Sequence, residues 1–354
     1  MKILVINPGS TSTLISIFED EKEIKREKIE HDVNELRKFK ELIDQLPYRK
    51  ERIMEKLKEW GIKKGDLSAV AGRGGVFKPL ESGTYEVNDK MIEDVKAGRV
   101  RAKHASNLGC ILAKEIAEEY GVKAYIADPV SVDEFEPLAR VSGLPEIERE
   151  ALQHTLNIKA MARRAAKELK KPLSELNLVV AHIGGGISVC PLKGGRIIDA
   201  NNAKEEGPFS PERTGGLPAY SLVELCYSGK YTREQMLRKI MGEGGLVAYL
   251  GTNSIKEVLK RIEQGDEKAR FYLEAMAYQI AKEIGAMSTV LKGKVDAIIL
   301  TGGGANAELL VNWIKERVSW IAQVLVYPGE HEMLALAQAT LRVLRGEEKP
   351  KEYK

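Results

Sequence analysis

A strand–turn–strand pattern occurs twice in this chain, at positions 3–13 and 178–188, and the copies are 175 residues apart in a total of 354. In each copy an apolar run enters a small polar or glycine-rich turn and leaves it as a second apolar run. A separation of nearly half the chain predicts two related domains. Backbone N–H groups and hydroxyls at such turns suit a polyphosphate held in a cleft between the domains. The pattern therefore favours a nucleotide-dependent phosphotransferase.

Length and composition agree with two ordinary domains, because a single hydrophobic core rarely grows beyond about 250 to 300 residues. Apolar residues make up 43% of the chain, and no apolar run approaches the roughly 18 residues of a membrane span. The apolar run after Lys2 is too short for a signal peptide, so we expect a cytoplasmic protein. The 55 basic and 52 acidic residues are interleaved, which predicts neither a nucleic-acid nor a membrane partner.

The three cysteines, Cys110, Cys190 and Cys226, are far apart and form no CxxC pattern. This spacing indicates neither a disulfide framework nor a zinc site, and we expect reduced thiols in the core.

Strands and helices alternate in the hydrophobic pattern, which predicts an α/β fold. Strands are expected at 3–6, 14–18, 68–71, 122–127, 178–181, 187–190, 197–200, 295–300 and 324–327. Helices are expected at 34–45, 49–60, 104–121, 150–170, 266–291 and 331–345, with another begun by the capping pair Thr232 and Gln235. The Lys/Glu-rich C-terminal tail is expected to be disordered. The domains are placed at 1–132 plus 334–354 and at 133–333.

A third glycine-rich turn, Thr301-Gly302-Gly303-Gly304-Ala305, also follows an apolar strand. Glycine allows close approach of a phosphate or base, and hydroxyls on Ser10, Ser12 and Thr13 add donors, although any single turn fits an ordinary hairpin equally well. The chain has no GxxxxGK[ST] sequence, which argues against a P-loop NTPase. Gly302, Gly304 and Ala307 match G-x-G-x-x-A, but too few residues follow for a dinucleotide-binding domain.

Nearly the whole chain resembles the acetate kinase family of the actin-like ATPase domain superfamily, and within it the butyrate kinases. The resemblance is carried by the motifs at 7–13, 72–75, 182–188, 211–215 and 301–304. Gly185 replaces the asparagine of the acetate kinase signature, as in butyrate kinases. The resemblance implies two ribonuclease H-like domains, the first binding acid and phosphate and the second nucleotide. It also implies reversible in-line phosphoryl transfer between ATP and butyrate or a branched short-chain acid, Mg²⁺ as cofactor, and a homo-oligomer.

The resemblance also implies the roles of particular residues. The implied catalytic residues are Arg73 near the carboxylate, Arg213 on the transferred phosphoryl group, His154, and the acidic Asp128 and Glu332, which orient Mg²⁺ through water. Substrate or phosphate contacts are implied for Asn7, Ser10, Ser12, His104, His182, Gly184 and Gly186, and nucleotide contacts for Gly302, Gly303, Gly304 and Ala305. A carboxylate is already ionised, so cationic stabilisation matters more than a general base.

Some positions depart from the family pattern or leave alternatives open. Leu14 replaces Lys or Glu, Ser254 and Lys256 replace Asp and Arg near the ribose and base, and His331 replaces an asparagine. Glu330 competes with Glu332 for the second acidic role. The alternative functions are an acetate or propionate kinase, separated by pocket volume alone, and an actin-like conformational ATPase without a small acceptor.

Overall fold

The computed structural model describes residues 1–354, which form two compact units. The first unit comprises Met1–Asp133 and His331–Lys354, and the second comprises Glu134–Glu330. Each unit has its own mixed β-sheet and its own hydrophobic core, which confirms the α/β class. The predicted boundaries put Glu332 in the second domain, whereas in the structure Glu332 packs within the first unit.

The first unit contains a six-stranded sheet in the order β3-β2-β1-β4-β6-β5. Its strands are β1 (Lys2–Pro8), β2 (Ser12–Glu19), β3 (Lys22–Glu30), β4 (Ala69–Arg73), β5 (Thr84–Glu86) and β6 (Lys123–Ala127). Its helices are α1 (Val33–Leu36), α2 (Leu46–Glu59), α3 (Asp89–Lys96), α4 (Leu108–Tyr120) and α12 (Glu332–Leu344).

Alternation of side chains along β1 and β2 explains how this sheet is covered. Leu4 and Ile6 pack with Ile53 of α2 and Ile111 of α4 in one core. Asn7 lies on the face of β1 opposite to Leu4 and Ile6, and its amide contacts the first turn of α12. The hairpin therefore has helices on both faces, and its turn lies at the carboxyl end of β1.

The second unit contains a five-stranded sheet in the order β11-β10-β7-β8-β9. Its strands are β7 (Asn177–Ile183), β8 (Ile187–Lys193), β9 (Arg196–Ile197), β10 (Ala297–Gly302) and β11 (Val324–Pro328). Its helices are α5 (Thr155–Leu169), α6 (Ala219–Tyr227), α7 (Arg233–Ile240), α8 (Gly245–Leu250), α9 (Ile255–Glu263), α10 (Glu267–Val290) and α11 (Glu308–Val318).

The two sheets share one plan. In each, an antiparallel hairpin is followed by parallel strands, so β1, β2, β4 and β6 correspond to β7, β8, β10 and β11. The internal repeat predicted from the two turns is therefore present as a repeat of topology. The carboxyl ends of the parallel strands, where α/β sheets present ligand groups, carry several predicted site residues, among them Arg73 and Asp128 in the first unit and His182 and Gly302 in the second.

Several local predictions were wrong, two of them for a visible reason. The helix predicted at 34–45 is interrupted, because the Asp44 carboxylate accepts from the Glu41 N–H at 3.0 Å and starts a new 3₁₀ turn. The helix predicted from residue 150 begins only at Thr155, because the backbone of His154, with ψ 58°, is not helical. The strand expected at 197–200 is confined to Arg196–Ile197.

The C-terminal tail is ordered, contrary to the expectation of disorder. Lys351 pairs with Tyr85 in a short bridge, and the buried ring of Tyr353 contacts Phe77. The Tyr353 hydroxyl donates to Asp94 at 3.0 Å. Burial of the Tyr353 ring therefore keeps the tail ordered despite the polar residues around it.

The cysteine prediction is partly confirmed. All three thiols are free; Cys110 and Cys190 are buried, but Cys226 is exposed. None of the helices combines the length and apolar character that a membrane crossing requires.

Candidate active site

The first turn, between β1 and β2, presents its hydroxyl side chains outward. Ser10 and Thr11 are exposed, while Asn7 and Ser12 are half-buried. The Gly9 N–H donates to the Ser12 carbonyl oxygen at 2.8 Å and closes the turn. Compact side chains at this turn leave its backbone accessible, as an anion-binding turn requires.

Three predicted residues of the first unit are in direct contact. Strands β1 and β4 are parallel neighbours, which brings the end of β4 at Arg73 beside Asn7. Glu332, the first residue of α12, forms an ion pair with Arg73 and accepts a hydrogen bond from Asn7 Nδ2 at 3.1 Å. The Arg73 and Glu332 side chains are 14% and 17% exposed, so the pair is largely shielded from water. A carboxylate already binds Arg73, which shows that this guanidinium accommodates a carboxylate ligand.

The glycines around Arg73 serve packing rather than a phosphate. A Cβ at Gly72 would lie 2.7 Å from the Gly109 carbonyl carbon, and one at Gly74 would lie 2.6 Å from Pro129 Cβ. A Cβ at Gly75 would lie 2.7 Å from Asn107 Cα. Protein atoms therefore fill the space that these glycines leave, and Arg73 is the ligand-binding group of this motif.

Asp128 follows β6 and has a backbone φ of +40°, which is unusual for a residue other than glycine. Its Oδ1 atom accepts from Ser82 Oγ at 2.6 Å and from the Gly83 N–H at 2.9 Å. Strained backbone of this kind occurs preferentially at functional sites. The hydrogen bonds fix the buried carboxylate in orientation.

A magnesium ion is compatible with the acidic residues of this unit. No group of three or more His, Cys, Asp or Glu side chains is arranged to hold a metal. Mg²⁺ does not need such a group, because it commonly keeps several waters and takes one or two carboxylates together with substrate phosphates. Asp128 and Glu332 supply two carboxylates in the first unit, whereas Glu330 belongs to the second.

His104 precedes the helical turn that leads into α4. Its Nδ1 accepts from the Ser106 N–H at 3.2 Å, so the neutral ring carries its proton on Nε2. Loss of solvation, with a smaller effect of the Arg73 charge, lowers the pKa of His104. A neutral ring with an Nε2 donor suits an oxygen of a bound anion.

In the second unit, two predicted histidines stack on each other. The His154 and His182 rings are parallel within 14°, with centroids 4.0 Å apart. His154 Nδ1 is 2.9 Å from Ser188 Oγ, and Asn157 Nδ2 donates to His182 Nδ1 at 2.9 Å. The same amide reaches Thr301 Oγ1 at 3.1 Å, which ties the ends of β7 and β10 together. Both rings are therefore held by their Nδ1 atoms.

The second turn, Gly184–Gly186, lies against Arg213. A Cβ at Gly186 would lie 2.7 Å from Arg213 Cζ, so only glycine leaves room for the guanidinium. Arg213 donates to the Ala203 carbonyl oxygen at 2.7 Å, but its buried Nε atom has no hydrogen-bond partner. Loss of solvation lowers the pKa of Arg213. A buried donor without a protein partner is rare and calls for an explanation, such as a bound water or ion or a catalytic role.

The third turn begins at the end of β10. Gly302 has φ +88°, and a Cβ there would lie 2.8 Å from the Ile183 nitrogen. A Cβ at Gly304 would lie 3.1 Å from Ile183 Cβ, whereas nothing lies within 4 Å of one at Gly303. Ala305 is buried in the 3₁₀ turn that follows. Gly302 and Gly304 therefore bring the turn close to β7, and Gly303 faces open space.

Comparison with known proteins identifies the family. A family model described as the acetokinase family matches residues 149–325, half of the chain. The chain is also 57% identical over 352 residues to a probable butyrate kinase 2 of Caldanaerobacter subterraneus subsp. tengcongensis, covering 99% of each protein. The chain belongs to the acetokinase family. This result confirms the resemblance and the expected enzyme class, a phosphotransferase with a carboxyl group as acceptor.

Solved structures of the acetokinase family share the fold. A Porphyromonas gingivalis acetate kinase superimposes with a TM-score of 0.79 at 19% identity, covering 97% of this chain and 99% of the other. A Francisella tularensis propionate kinase gives a TM-score of 0.75 at 17% identity, covering 96% and 98%. These likenesses confirm the predicted two-domain fold of the actin-like ATPase type.

The structure shows the surroundings of two positions, Leu14 and Ser254, that the sequence resemblance predicts to differ from related kinases. Leu14 is half-buried and lies opposite Asn7 on β1 and Lys28 on β3. Ser254 caps α9, since its side chain accepts from the Glu257 N–H at 3.2 Å. Ser254 is thus used by the helix itself.

Two residues near the predicted sites were missed by sequence reasoning. Asn157 links His182 to Thr301, and Arg49 of α2 donates to the backbone of the first turn. Asn157 gave no local signal. Arg49 did, because it occupies the buried stripe of α2 with Leu46, Ile53 and Leu57. A charged residue in an apolar stripe must have partners, and those partners can be sought.

Proposed function

We propose that the protein is a butyrate kinase that transfers a phosphoryl group reversibly between ATP and butyrate or a branched short-chain fatty acid. The observation that carries the proposal is the 57% identity to a probable butyrate kinase over 99% of both chains. The products are butyryl phosphate and ADP, and a carboxylate oxygen attacks the γ-phosphorus directly while the bond to the ADP oxygen breaks.

In this proposal Arg73 binds the acid. Its guanidinium already holds the Glu332 carboxylate, and Asn7 donates to the same group. A fatty acid carboxylate offers the same two acceptor oxygens, so substrate would compete with Glu332 or share the arginine with it. The apolar tail then selects the chain length, and one methylene is worth about 1 to 3 kcal/mol.

Arg213 is assigned to the transferred phosphoryl group. Charge spreads over the equatorial phosphoryl oxygens in the transition state, and a guanidinium with unused donors can stabilise it. The unpartnered Nε atom supports this role. His182 would donate from Nε2 to a phosphoryl oxygen, because its Nδ1 atom accepts from the Asn157 amide, and His154 would do the same when the Ser188 hydroxyl donates to its Nδ1 atom. His104, Ser10, Ser12, Gly184 and Gly186 complete the proposed phosphate contacts.

Asp128 and Glu332 are proposed to orient Mg²⁺ through its waters, and Gly302, Gly303, Gly304 and Ala305 to contact the nucleotide. When bound, Mg²⁺ would neutralise phosphate charge. The first unit would bind the acid and the second the nucleotide. Assembly into a homo-oligomer and a cytoplasmic location stay predictions.

An acyl-hydroxamate assay tests the function. Purified protein is incubated with Mg-ATP, hydroxylamine and acetate, propionate, butyrate, isobutyrate or valerate in parallel. We expect the largest kcat/KM for a four-carbon acid. A preference for acetate or propionate would replace the substrate assignment, and ATP hydrolysis without hydroxamate would favour a conformational ATPase instead.

A further inference from the structure

Arg49 of α2 is one of the largest fully buried side chains in the protein, with an exposed fraction of 0%. Its Nη2 atom donates to the Ser10 carbonyl oxygen at 2.9 Å, and Nη1 donates to the Gly9 and Ser12 carbonyl oxygens at 2.9 and 3.1 Å. Nη1 also reaches Thr13 Oγ1 at 3.1 Å. One guanidinium therefore binds four acceptors of the first turn.

The charge of Arg49 has no carboxylate partner. Its third nitrogen, Nε, donates to the neutral Gln45 Oε1 atom at 3.0 Å. Burial lowers its pKa only to about 10, so the group stays positively charged at neutral pH. A buried charge without a counterion is costly, and a ligand anion close by would compensate it.

The geometry of the turn shows where such an anion would bind. All peptide bonds are trans, so each carbonyl points away from the N–H of the same peptide unit. The Gly9 and Ser10 carbonyls point toward Arg49, and the N–H groups of Ser10 and Thr11 therefore point to the opposite, solvent-exposed side. Neither N–H has a hydrogen-bond partner within the protein. Successive free N–H groups form an anion-binding concavity.

We propose that Arg49 is a positioning residue that holds the first turn with its N–H groups directed at a substrate phosphate and supplies the positive charge behind them. Arg49 acts through the backbone of Gly9–Thr13 and does not touch the substrate. This inference rests on the proposed phosphotransfer, because that reaction supplies the phosphate. The phosphate belongs either to the nucleotide or to the acyl phosphate, and both have the same chemistry.

The experiment compares Arg49→Met, which removes the charge but keeps the stem, with Arg49→Lys, which keeps the charge but loses the planar fork. The control is Arg52→Met, at an exposed arginine on the same helix that binds Glu55 at 3.0 Å. Separate KM values are measured for ATP, ADP, butyryl phosphate and butyrate. Thermal melting is followed with and without inorganic phosphate.

We expect Arg49→Met to lower kcat/KM for phosphate-bearing substrates by about 10²-fold, because misplaced binding groups have effects of that order. Its KM for butyrate, which has no phosphate, should stay unchanged, and the phosphate-induced rise in melting temperature should be lost. Arg49→Lys should have kcat/KM values and a phosphate-induced rise in melting temperature between those of Arg49→Met and wild type. Arg52→Met should have the values of wild type. If kcat/KM falls most for ATP and ADP, the phosphate at the first turn belongs to the nucleotide. If it falls most for butyryl phosphate, that phosphate is the transferred group.

A lower melting temperature in Arg49→Met with unchanged KM values and an unchanged phosphate response would overturn the inference, since Arg49 would then be structural only. If Arg49→Met does not fold, Gln45→Leu removes one contact of the guanidinium and should raise the same KM values by less. A wild-type protein that phosphorylates no acid would refute the proposed function, while the phosphate response of the variants would still test Arg49.

Discussion

The two units place an arginine on different sides of equivalent turns. In the first unit Arg49 lies behind a hydroxyl-rich turn and binds its carbonyl groups. In the second unit the side chain of Arg213 packs against the glycine turn and retains a donor without a partner. Equal sheet topology therefore does not imply equal chemistry: one arginine is fully used in holding its turn, and the other remains available to a ligand.

The largest effect is expected on substitution of Arg213, the arginine that is proposed to contact the ligand. Arg213→Ala should lower kcat by about 10³ to 10⁵, the usual contribution of an arginine to phosphoryl transfer. Stability should change little, because the side chain makes one hydrogen bond to a carbonyl. Steady-state kinetics and melting curves measure both quantities. Arg238→Ala is the control, because Arg238 is exposed and pairs with Glu243 at 3.4 Å. Near-normal kcat in Arg213→Ala would remove the catalytic role.

The second prediction separates two neighbouring glycines of the nucleotide turn. Gly302→Ala should destabilise the protein by about 2 to 5 kcal/mol, since it combines a left-handed backbone with collision against Ile183. Gly303→Ala should change stability by less than about 0.5 kcal/mol, because nothing lies near the added carbon.

Gly303→Ala should nevertheless raise the KM for ATP if the nucleotide lies against that glycine. Urea denaturation and ATP kinetics of both variants test this pair. Equal stability of the two variants would contradict the packing argument, and an unchanged KM for ATP in Gly303→Ala would argue against the nucleotide contact.

The third prediction concerns how the stability of each unit depends on pH. Burial, with a smaller contribution from Arg49, lowers the pKa of His31 in the first unit to about 4. The unfolded chain protonates this histidine near pH 6.5 and the folded one only near pH 4, so the free energy of unfolding should fall on acidification between these values. The slope should be about 1.4 kcal/mol per pH unit.

Burial raises the pKa values of Asp199 and Glu283 in the second unit. These groups bind protons more readily when folded, and their effect on stability has the opposite sign. Hydrogen exchange at pH 7 and pH 5, corrected for intrinsic rates, should show selective loosening of the first unit. His31→Asn should reduce that difference, and the part that remains should come from His104, whose pKa burial also lowers. Equal responses of the two units would contradict the assignment.

Local signals predicted the repeat and the turns at 8–12 and 184–186 well, because a turn depends on residues next to one another, whereas the ends of several strands differ from the predicted bounds. The capping box of Thr232 and Gln235 was likewise predicted and is present. Contacts across long separations were beyond the sequence: Arg73 meets Glu332 from the far end of the chain, and Tyr353 orders the tail by burial against Phe77.

The same limit explains the site. The motifs indicated Ser10 and Ser12, but not Arg49, whose backbone acceptors lie about 40 residues earlier in the chain. Glycine content alone did not separate packing from binding either. Gly72 and Gly302 make room for protein backbone and Gly303 does not, a distinction that depends on the neighbouring strand or helix.

The smallest expected effect concerns Ser254, a position that the sequence resemblance predicts to lie near the nucleotide. In the structure its side chain caps α9, so Ser254→Ala should cost about 1 kcal/mol of stability. Because the hydroxyl is engaged by the Glu257 N–H, the KM for ATP should stay the same. Thr232→Ala, at the cap of α7, is a matched control of similar cost. A raised KM for ATP in Ser254→Ala alone would place this residue in the nucleotide site and give α9 a role in binding.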